Sequence, residues 1–374
     1  MNKVVVEEDI AGIVGGLRAE QFRGKVVLVA GAAGFLPAYM VEALLYLNSI
    51  SDCGCKVVAL VRTLSKAEQR FAEYLDRPDF VLLQGDVARL PSNMPRADII
   101  IHAASAASPK FYSTDPVGVM EANFLGMHNL LELARTWVVD SFLYFSSGEV
   151  YGQTPSDTTA TKETDYGYID VLNVRSCYAE SKRAAETLGV SYWKQYGVPI
   201  KIVRPFHTYG PGMALEDGRV FADFVADVVS RRNIVIKGDG LAIRAFCYLA
   251  DATSAFFLVL DKGQPGLAYN VGNPEGAISV GELADLLVGL YPDLGLEVER
   301  ASNGHESGYL VSPIAKNLPD VGAVEALGWA RHFSLEKGFA RTISYFCEST
   351  LGCAADLDHA SGFDDWKEEK KEGV

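Results

Sequence analysis

The sequence predicts an α/β fold in which a doubly wound parallel sheet is followed by a smaller α+β lobe. Three observations lead to this prediction. Short apolar runs alternate with helix-length periodic segments through the first 206 residues. A glycine-rich turn at 31–34 follows the first of these runs. Beyond residue 207 the alternation becomes irregular, and glycine and proline are frequent in the loops. Regular alternation of this kind is typical of repeated strand, helix, strand units.

The predicted strands are continuous apolar runs, a pattern typical of strands buried on both faces of a parallel sheet. Helical periodicity is clearest over residues 115–136 and 176–196, which lie on either side of the fifth run. The six runs cover residues 25–30, 57–61, 80–83, 98–102, 142–145 and 200–203.

The C-terminal part is predicted to form a substrate-binding lobe over the sheet edge, because ligands of such sheets bind beyond the carboxyl ends of the strands. Helix-like segments in this part are 220–231, 252–261, 280–291 and 335–346. The predicted divisions are an N-terminal extension at 1–24, a dinucleotide-binding domain at 25–206 plus about 233–260, a substrate-binding lobe at 207–232 plus about 261–347, and a charged, disordered tail at 348–374.

Composition and charge argue against several classes of protein. The formal net charge of −14 disfavours nucleic-acid and anionic-membrane partners, because both need a basic surface. The apolar stretch 26–47 is as long as a membrane span, but glycines, Pro37 and Glu42 interrupt it, so we expect no membrane span there. The six cysteines show no paired metal-site spacing, and the N-terminus does not resemble a secretion signal. We therefore expect reduced thiols, a cytoplasmic protein and no bound metal.

A dinucleotide-binding turn is predicted at Gly31-Ala32-Ala33-Gly34-Phe35-Leu36-Pro37. This segment follows the first strand and opens a helix, the context in which a glycine-rich turn holds a pyrophosphate at a helix N-terminus. Pro37 stands where the usual pattern has a third glycine, and proline is tolerated in a first helical turn. A plain strand-to-helix turn is the alternative. Together with the sheet pattern, the turn predicts a Rossmann-type domain.

Two residues are candidates for the adenosine end of the dinucleotide. Arg62 follows the second strand, where an acidic residue would hold the ribose hydroxyls of NAD. It could face the 2′-phosphate of NADP or stack on adenine, and a solvated surface arginine is the alternative. Asp86 follows the third run and is placed to meet the adenine, although it could instead cap the next turn.

Proton chemistry is predicted from Ser146, Ser147 and Glu149 after the fifth strand and from Tyr178 and Lys182 on the following helix. Residues four apart share a helix face, so the Lys182 ammonium can lie beside the Tyr178 phenol. We predict that this cation, together with an oxidised nicotinamide, lowers the phenol pKa towards neutrality and makes Tyr178 a general base. A chance match, and a surface role for Glu149, are the alternatives.

Three further side chains are candidates for anion recognition in this acidic chain. Arg219 and Arg244 lie in the C-terminal half, and arginine suits bidentate phosphate or carboxylate binding. Each could equally form an ordinary salt bridge. His207 follows the last parallel strand and is the histidine most suited to a site, with a structural histidine as the alternative.

The motifs together resemble extended short-chain dehydrogenases/reductases of the NAD-dependent epimerase/dehydratase family, most closely the UDP-glucuronate decarboxylase (UDP-xylose synthase) branch. The resemblance runs from about Lys25 to Phe346. Matching segments are His102-Ala103-Ala104-Ser105-Ala106-Ala107-Ser108-Pro109, Glu149-Val150-Tyr151-Gly152, Arg175-Ser176-Cys177-Tyr178, Arg204-Pro205-Phe206-His207-Thr208-Tyr209-Gly210-Pro211, Asp217-Gly218-Arg219-Val220, Arg244-Ala245-Phe246 and Leu327-Gly328-Trp329.

The resemblance implies transient oxidation at C4 of a nucleotide sugar. Tyr178 with Lys182 would remove the C4 hydroxyl proton while hydride passes to NAD, and Ser147 would bind the same oxygen. The 4-keto uronic acid would lose CO2 near Glu149 and Arg244, and hydride would then return. The implied cofactor contacts are Gly31, Gly34, Phe35, Leu36, Arg62, Asp86, Val87, Ala103, Ala104, Ser105, Tyr178, Lys182, Pro205 and His207, and the implied substrate contacts are Ser108, Glu149, His207, Arg219 and Arg244.

The chain departs from these decarboxylases at four positions. Gly148 replaces a serine, or the aspartate of 4,6-dehydratases; His207 replaces an asparagine, Gly212 an arginine and Arg62 an aspartate. The alternatives to decarboxylation are a nucleotide-sugar 4-epimerase or C4 oxidoreductase, then a 4,6-dehydratase, then a non-catalytic dinucleotide-binding scaffold. NADP remains an alternative to NAD because of Arg62. By analogy with the family, we expect a homodimer built on the helices that begin near 115 and 176.

Overall fold

A computed structural model describes residues 2–155, 158–216, 218–301 and 316–347. The predicted tail at 348–374 lies outside the described residues. The strands are β1 Val26–Ala30, β2 Lys56–Val61, β3 Phe80–Gln84, β4 Ile99–His102, β5 Ser141–Phe145, β6 Ile200–Pro205, β7 His207–Tyr209, β8 Ile234–Ile236, β9 Ile243–Tyr248, β10 Ala268–Val271, β11 Ala277–Ser279, β12 Val298–Arg300 and β13 Lys316–Asn317.

Helices pack on both faces of the main sheet and build most of the lobe. They are α1 Lys3–Gly15, α2 Phe35–Ile50, α3 Leu64–Arg70, α4 Pro109–Thr114, α5 Pro116–Met120, α6 Gly126–Trp137, α7 Cys177–Tyr196, α8 Val220–Val229, α9 Leu249–Lys262, α10 Val280–Gly289, α11 Gly322–Glu325 and α12 Leu335–Phe346. The predicted helix at 115–136 is interrupted by a π-helical turn, Glu121–Leu125, between α5 and α6. None of the helices in the described ranges is long and apolar enough to cross a bilayer.

The central sheet has seven strands in the order β10-β6-β5-β4-β1-β2-β3, and every pairing is parallel. All six predicted runs are strands of this sheet, so the α/β fold is confirmed. In β1, Val27 and Val29 face one hydrophobic core, while Leu28 and Ala30 face the other. Because both faces are covered, the strand reads as an unbroken apolar run.

The predicted divisions between domain and lobe are corrected by two sets of strands. β10 completes the central sheet beside β6, although its residues were assigned to the lobe. β8 and β9 were assigned to the sheet domain, but β8 pairs with β12, and β9 with β7, β11 and β13, in two smaller sheets. The apolar pattern did not predict β10, because the fully buried Asn270 interrupts it. Its amide donates to the carbonyl oxygens of Thr161 and Asp320, each at 2.9 Å.

The lobe is organised by aromatic rings that pack between the smaller sheets and α12. Tyr209 of β7 stacks on Phe339 of α12, with ring centroids 3.9 Å apart. Phe246 of β9 meets both of these rings edge-on. β7 directly follows β6 of the central sheet, so this cluster holds the lobe against the carboxyl edge of the strands.

The N-terminal extension contains helix α1, which packs against α2, α9 and α12. Its buried Asp9 accepts hydrogen bonds from Tyr39 at 3.1 Å, Tyr248 at 2.7 Å and the Arg341 guanidinium at 2.8 Å. Arg341 also donates to Glu8 at 2.9 Å. Burial raises the pKa of Asp9 to about 6, while the charge of Arg341 opposes the shift. A single polar cluster therefore joins α1 to the sheet domain and to the lobe.

Candidate active site

The glycine-rich turn brings the end of β1 against the segment after β4. Gly31 has φ +80°, and a Cβ there would lie 2.6 Å from the Ala104 Cα and 2.7 Å from the Ala104 nitrogen. The turn is closed by a hydrogen bond from the Gly34 nitrogen to the Gly31 carbonyl at 2.8 Å. Gly34 is the N-cap of α2, which begins at Phe35. Only glycine fits the close approach at Gly31, and the first N–H groups of α2 are left to bind an anion.

The residues after β4 supply a further polar group beside this turn. Ala103 donates its N–H to the Ala30 carbonyl at 3.0 Å, which fixes the segment to β1. The Ser105 hydroxyl is buried, and no hydrogen-bond partner for it lies among the described residues. A buried hydroxyl without a partner is costly. This donor, the glycine cradle and the α2 N-terminus fit the pyrophosphate of a dinucleotide.

A cavity of about 250 Å³ lies beyond the ends of β2 and β3 and contains both predicted adenosine residues, Arg62 and Asp86. Asp86 accepts a hydrogen bond from the Ala88 nitrogen at 2.8 Å, so it caps a turn and also lines the cavity. Val87 is buried against Gly126 at the start of α6. The sequence did not identify Asp115 and Glu121, which line the same cavity from the helical segment after β4.

The predicted proton-handling residues come together at the end of β5. Tyr178 and Lys182 are buried on one face of α7, and the Lys182 ammonium lies 5.7 Å from the centroid of the Tyr178 ring. The Tyr178 phenol forms a hydrogen bond with the Ser147 side chain. Lys182 donates to the Phe145 carbonyl at 2.6 Å. Strand β5 and helix α7 therefore hold all three functional groups without help from the lobe.

The protein's own groups do not lower the phenol pKa of Tyr178 towards neutrality. Burial raises the pKa of Tyr178 to about 12; the hydrogen bond from Ser147 and the charge of Arg219 oppose the shift, whereas the charge of Glu149 adds to it. Burial also lowers the pKa of Lys182 to about 7, against the charge of Glu186. The ammonium is thus directed at a backbone carbonyl and is itself destabilised by the surrounding core.

Glu149 is held by Arg175, which was not among the predicted site residues. Arg175 donates from Nη1 to Glu149 Oε2 at 3.3 Å, and its guanidinium carbon lies 5.9 Å from the centroid of the Tyr112 ring. Tyr112 stacks on Tyr178, with centroids 5.2 Å apart and ring planes inclined by 19°. Arg175 could have been considered from the sequence because it lies three residues before Tyr178. Tyr112 lies on α4, far from Tyr178 in the chain, so no sequence motif linked the two.

The lobe brings His207, Arg219 and Arg244 to the same side as Tyr178. Burial lowers the pKa of His207 to about 3, and the charges of Arg244 and Arg219 add to this shift. His207 pairs in register with Phe246 of β9, two residues after Arg244. Arg219, the N-cap of α8, is close enough to lower the pKa of the Tyr178 phenol. His207 is therefore neutral beside two cations, an arrangement that favours an anionic or hydroxyl-rich ligand.

The other predicted contacts lie along the same edge. Ser108 is the N-cap residue of α4, the helix that carries Tyr112. Pro205 ends β6 and precedes His207. The described residues contain no group of three or more histidine, cysteine or acidic side chains arranged to hold a metal ion.

Comparison with known proteins agrees with this geometry. The model of the NAD dependent epimerase/dehydratase family matches residues 27–272. This chain belongs to that family. UDP-glucuronic acid decarboxylase 1 of Arabidopsis thaliana is 32% identical over 86% of this chain and 69% of its own length. UDP-glucuronic acid decarboxylase 6 of the same plant is 32% identical over 83% of this chain and 86% of its own length.

Solved structures of family members share the fold. UDP-glucose 4-epimerase of Thermotoga maritima, solved with UDP-glucose, superposes with a TM-score of 0.72 at 23% identity over 86% of this chain and 98% of that one. UDP-glucuronic acid 4-epimerase of Bacillus cereus, in complex with UDP-glucuronic acid and NAD, has a TM-score of 0.71 at 21% identity, with the same two coverages. At these identities the likeness establishes the fold.

Gly148 and Gly212 are tightly enclosed. Both are positions at which this chain departs from the decarboxylases that it resembles. A Cβ on Gly148 would lie 3.2 Å from three atoms of the Phe206 ring. Gly212 has φ +82°, and a Cβ there would collide with the Arg70 guanidinium. Arg70 is paired with the buried Glu42 at 3.0 Å. The space beside each glycine is thus already filled by another side chain.

One more buried group supports the proton-handling residues and was missed in the sequence. Asn123, fully buried in the π-helical turn, donates to the Ser181 hydroxyl at 2.9 Å. Ser181 precedes Lys182 and also donates to the Tyr178 carbonyl at 3.0 Å. A π-helical turn often marks a functional site, but amphipathic periodicity does not reveal one.

Proposed function

We propose that this protein is an NAD-dependent nucleotide-sugar enzyme that oxidises C4 of the sugar transiently, and that UDP-glucuronate decarboxylation giving UDP-xylose is its reaction. The observation that carries the proposal is the convergence of His207, Arg219 and Arg244 on the Tyr178 side of the cleft. In a chain of net charge −14, a local pair of arginines beside a buried base is suited to an anionic sugar.

The proton-handling steps follow from the positions of the side chains. Tyr178 takes the proton of the C4 hydroxyl, and Ser147, hydrogen-bonded to the same phenol, holds the sugar oxygen. Lys182 maintains positive potential beneath the phenol. When bound, NAD would supply the hydride acceptor and a positive charge next to Tyr178, which would offset the high phenol pKa that burial creates.

The carboxylate of the sugar is bound on the lobe side. Arg244, whose Nη1 donates to the Ile243 carbonyl at 2.8 Å, binds this carboxylate through its guanidinium, and Glu149, held by Arg175, faces the sugar from the sheet. Once C4 is a ketone, the sugar is a β-keto acid whose carboxylate carbon leaves as CO2, and the electron pair remains in the resulting enolate. Return of a proton to the sugar and of the same hydride to C4 would complete the cycle and leave the cofactor oxidised.

The residues proposed to hold NAD lie along one path at the carboxyl edge. The Gly31 turn would hold the pyrophosphate, the residues near Arg62 the adenosine, and those near Tyr178 the nicotinamide. The proposed contacts are Gly31, Gly34, Phe35, Leu36, Arg62, Asp86, Val87, Ala103, Ala104, Ser105, Tyr178, Lys182, Pro205 and His207.

Because residue 148 is a glycine, 4-epimerisation is the second candidate reaction. Gly148 has no side chain with which to protonate a leaving group, and the Phe206 ring covers the position, which disfavours 4,6-dehydration. Chemistry confined to C4 needs only Ser147, Tyr178 and Lys182.

Incubation of the purified protein with UDP-glucuronate and NAD separates the candidates. Release of CO2 with formation of a UDP-pentose supports decarboxylation. UDP-galacturonate without CO2 supports 4-epimerisation. Bound NAD with no change in the sugar contradicts both and leaves a non-catalytic scaffold. Mass analysis of the dinucleotide released by denaturation distinguishes NAD from NADP.

The protein is further proposed to be a cytoplasmic homodimer. Exposed apolar side chains on α5 and the π-helical turn, Val117, Met120, Phe124 and Leu125, form a face suited to pairing with a second copy. Light scattering after size exclusion should give twice the chain mass, and Met120→Lys with Leu125→Glu should give a monomer.

The buried thiols Cys53, Cys55, Cys177 and Cys247 suit a reducing compartment.

A further inference from the structure

The cavity at the adenosine end has an unusual distribution of charge. We call it the adenosine cavity; its lining residues are Arg62, Asp86, Ala88, Asp115, Val117, Gly118, Glu121 and Ala122. Three carboxylates face one guanidinium, which leaves a formal excess of negative charge. The cavity lies beyond the carboxyl ends of β2 and β3, where the adenosine lies when the pyrophosphate rests on the N-terminus of α2.

Backbone groups hold two of these carboxylates in place. Asp86 accepts from the Ala88 nitrogen at 2.8 Å, and Asp115 accepts from the Gly118 nitrogen at 3.1 Å as the N-cap of α5. Glu121 lies at the start of the π-helical turn, partly buried. Arg62 and Asp115 are both exposed, whereas Asp86 is partly buried like Glu121. Hydrogen bonds from the backbone therefore fix Asp86 and Asp115 on the negative side of the cavity, and partial burial restrains Glu121.

We infer that Asp115 and Glu121 make the adenosine cavity selective for NAD over NADP, taking over the role that an acidic residue at the end of β2 has in other dinucleotide-binding sheets. The 2′-hydroxyl of NAD can donate a hydrogen bond to a carboxylate. The 2′-phosphate of NADP brings up to two negative charges towards three carboxylates, and Arg62 offsets only part of that repulsion.

This selectivity rests on the proposed function, since it concerns the cofactor site of that enzyme. It also means that Arg62 does not indicate a preference for NADP. An arginine after β2 is expected to favour NADP. Here the carboxylates that oppose it come from the helical segment after β4, more than fifty residues later in the chain. The residue at the end of β2 alone therefore does not determine which dinucleotide this site prefers.

Calorimetric titration of the full chain with NAD and with NADP, in the absence of nucleotide sugar, tests the inference. Glu121→Gln keeps the side-chain shape, and Asp115→Asn keeps an oxygen that can accept the Gly118 N–H. We expect wild type to bind NAD more tightly than NADP. In the double variant, the dissociation constant for NADP divided by that for NAD should fall by about tenfold or more, mainly because NADP binds more tightly. Glu68→Gln, on α3 and outside the cavity lining, removes one nearby charge as a control and should leave the ratio unchanged.

The outcomes separate this inference from the proposed function. A ratio that stays the same in the double variant, or changes equally in Glu68→Gln, overturns the role of Asp115 and Glu121 while leaving the enzyme assignment intact. Wild type that binds NADP as tightly as NAD overturns it in the same way. Failure of wild type to bind either dinucleotide removes both this inference and the proposed function.

Discussion

The two sides of the cleft are built differently. On the sheet side, Tyr178 and Lys182 are 6% and 2% exposed and are held by β5 and α7 of the central sheet. On the lobe side, His207, Arg219 and Arg244 are only partly buried, and they come from a small sheet and the start of α8. The proton-handling residues of the sheet side, Tyr178 and Lys182, are those expected of the family. Three of the four departures, at His207, Gly212 and Gly148, lie on the lobe side or at its border, and the fourth, Arg62, follows β2 at the adenosine end.

This difference suggests that the sheet side fixes a common first step, oxidation at C4, and the lobe side fixes which sugar undergoes it. Substitutions on the sheet side should therefore reduce turnover for every substrate. Those on the lobe side should change the preference between substrates. Substitutions at four positions, Tyr178, Arg244, Gly148 and Arg175, test this division.

Tyr178→Phe should lower kcat by about 10² to 10⁴-fold, because it removes the group that carries the proton. NAD binding, followed by calorimetry, should change little. Tyr112→Phe is the matched control: it keeps the ring stacked on Tyr178 and loses only a hydroxyl that donates to the Ala107 carbonyl at 2.9 Å. Turnover that survives in Tyr178→Phe would exclude this phenol as the base.

Arg244→Gln should raise KM for UDP-glucuronate by about 10 to 100-fold, because a hydrogen bond between charged groups is lost. Inhibition by UDP-glucose, which has no carboxylate, should change little. Arg244→Lys should fall between wild type and Arg244→Gln, since it keeps the charge but not the fork of donors. An equal loss for both sugars would show that Arg244 does not recognise the carboxylate and would contradict the division between the two sides.

Gly148→Ala tests the border between the two sides, because Phe206 lies in the segment that leads to the lobe. The added methyl group must displace the Phe206 ring, which is 3.2 Å away, and should destabilise the fold by about 1 to 2 kcal/mol. Urea unfolding measures the loss. A second substitution, Phe206→Leu, should restore part of it in Gly148→Ala; two losses that simply add would mean that the residues are not coupled.

Arg175→Gln should shift the acidic limb of the pH profile of kcat upward by about half a unit to one unit. Glu149 raises the pKa of Tyr178, and Arg175 lies against Glu149 and offsets that charge. Without Arg175 the phenol holds its proton to higher pH, so activity appears later as pH rises. Arg175→Lys should keep the limb near its wild-type position. An unchanged or lowered limb in Arg175→Gln would contradict this role.

Local spacing explains what the sequence predicted correctly. The six apolar runs and the four-residue spacing of Tyr178 and Lys182 depend on neighbours in the chain, so periodicity reveals them. Strand β10 was missed because the partners that satisfy its buried Asn270 come from distant segments. The stacking of Tyr112 on Tyr178 likewise depends on how α4 packs.

Electrostatic predictions depend on more than the spacing of residues in the chain. Lys182 and an oxidised nicotinamide together are predicted to lower the phenol pKa of Tyr178, whereas in the protein alone burial raises the pKa of Tyr178 and lowers that of Lys182. The depth of a side chain in the core depends on the whole fold. Similarly, the sequence identified Arg62 and Asp86 at the adenosine end but not Asp115 and Glu121, which line the same cavity from a later part of the chain.

The cluster around Asp9 has a consequence for the order of folding. Asp9 and Arg341 are 332 residues apart in sequence, so a nascent chain exposes helix α1 long before its buried guanidinium partner is made. Until then the Asp9 carboxylate can neither be neutralised by Arg341 nor be buried cheaply. Docking of α1 with its full set of polar partners is therefore coupled to completion of α12.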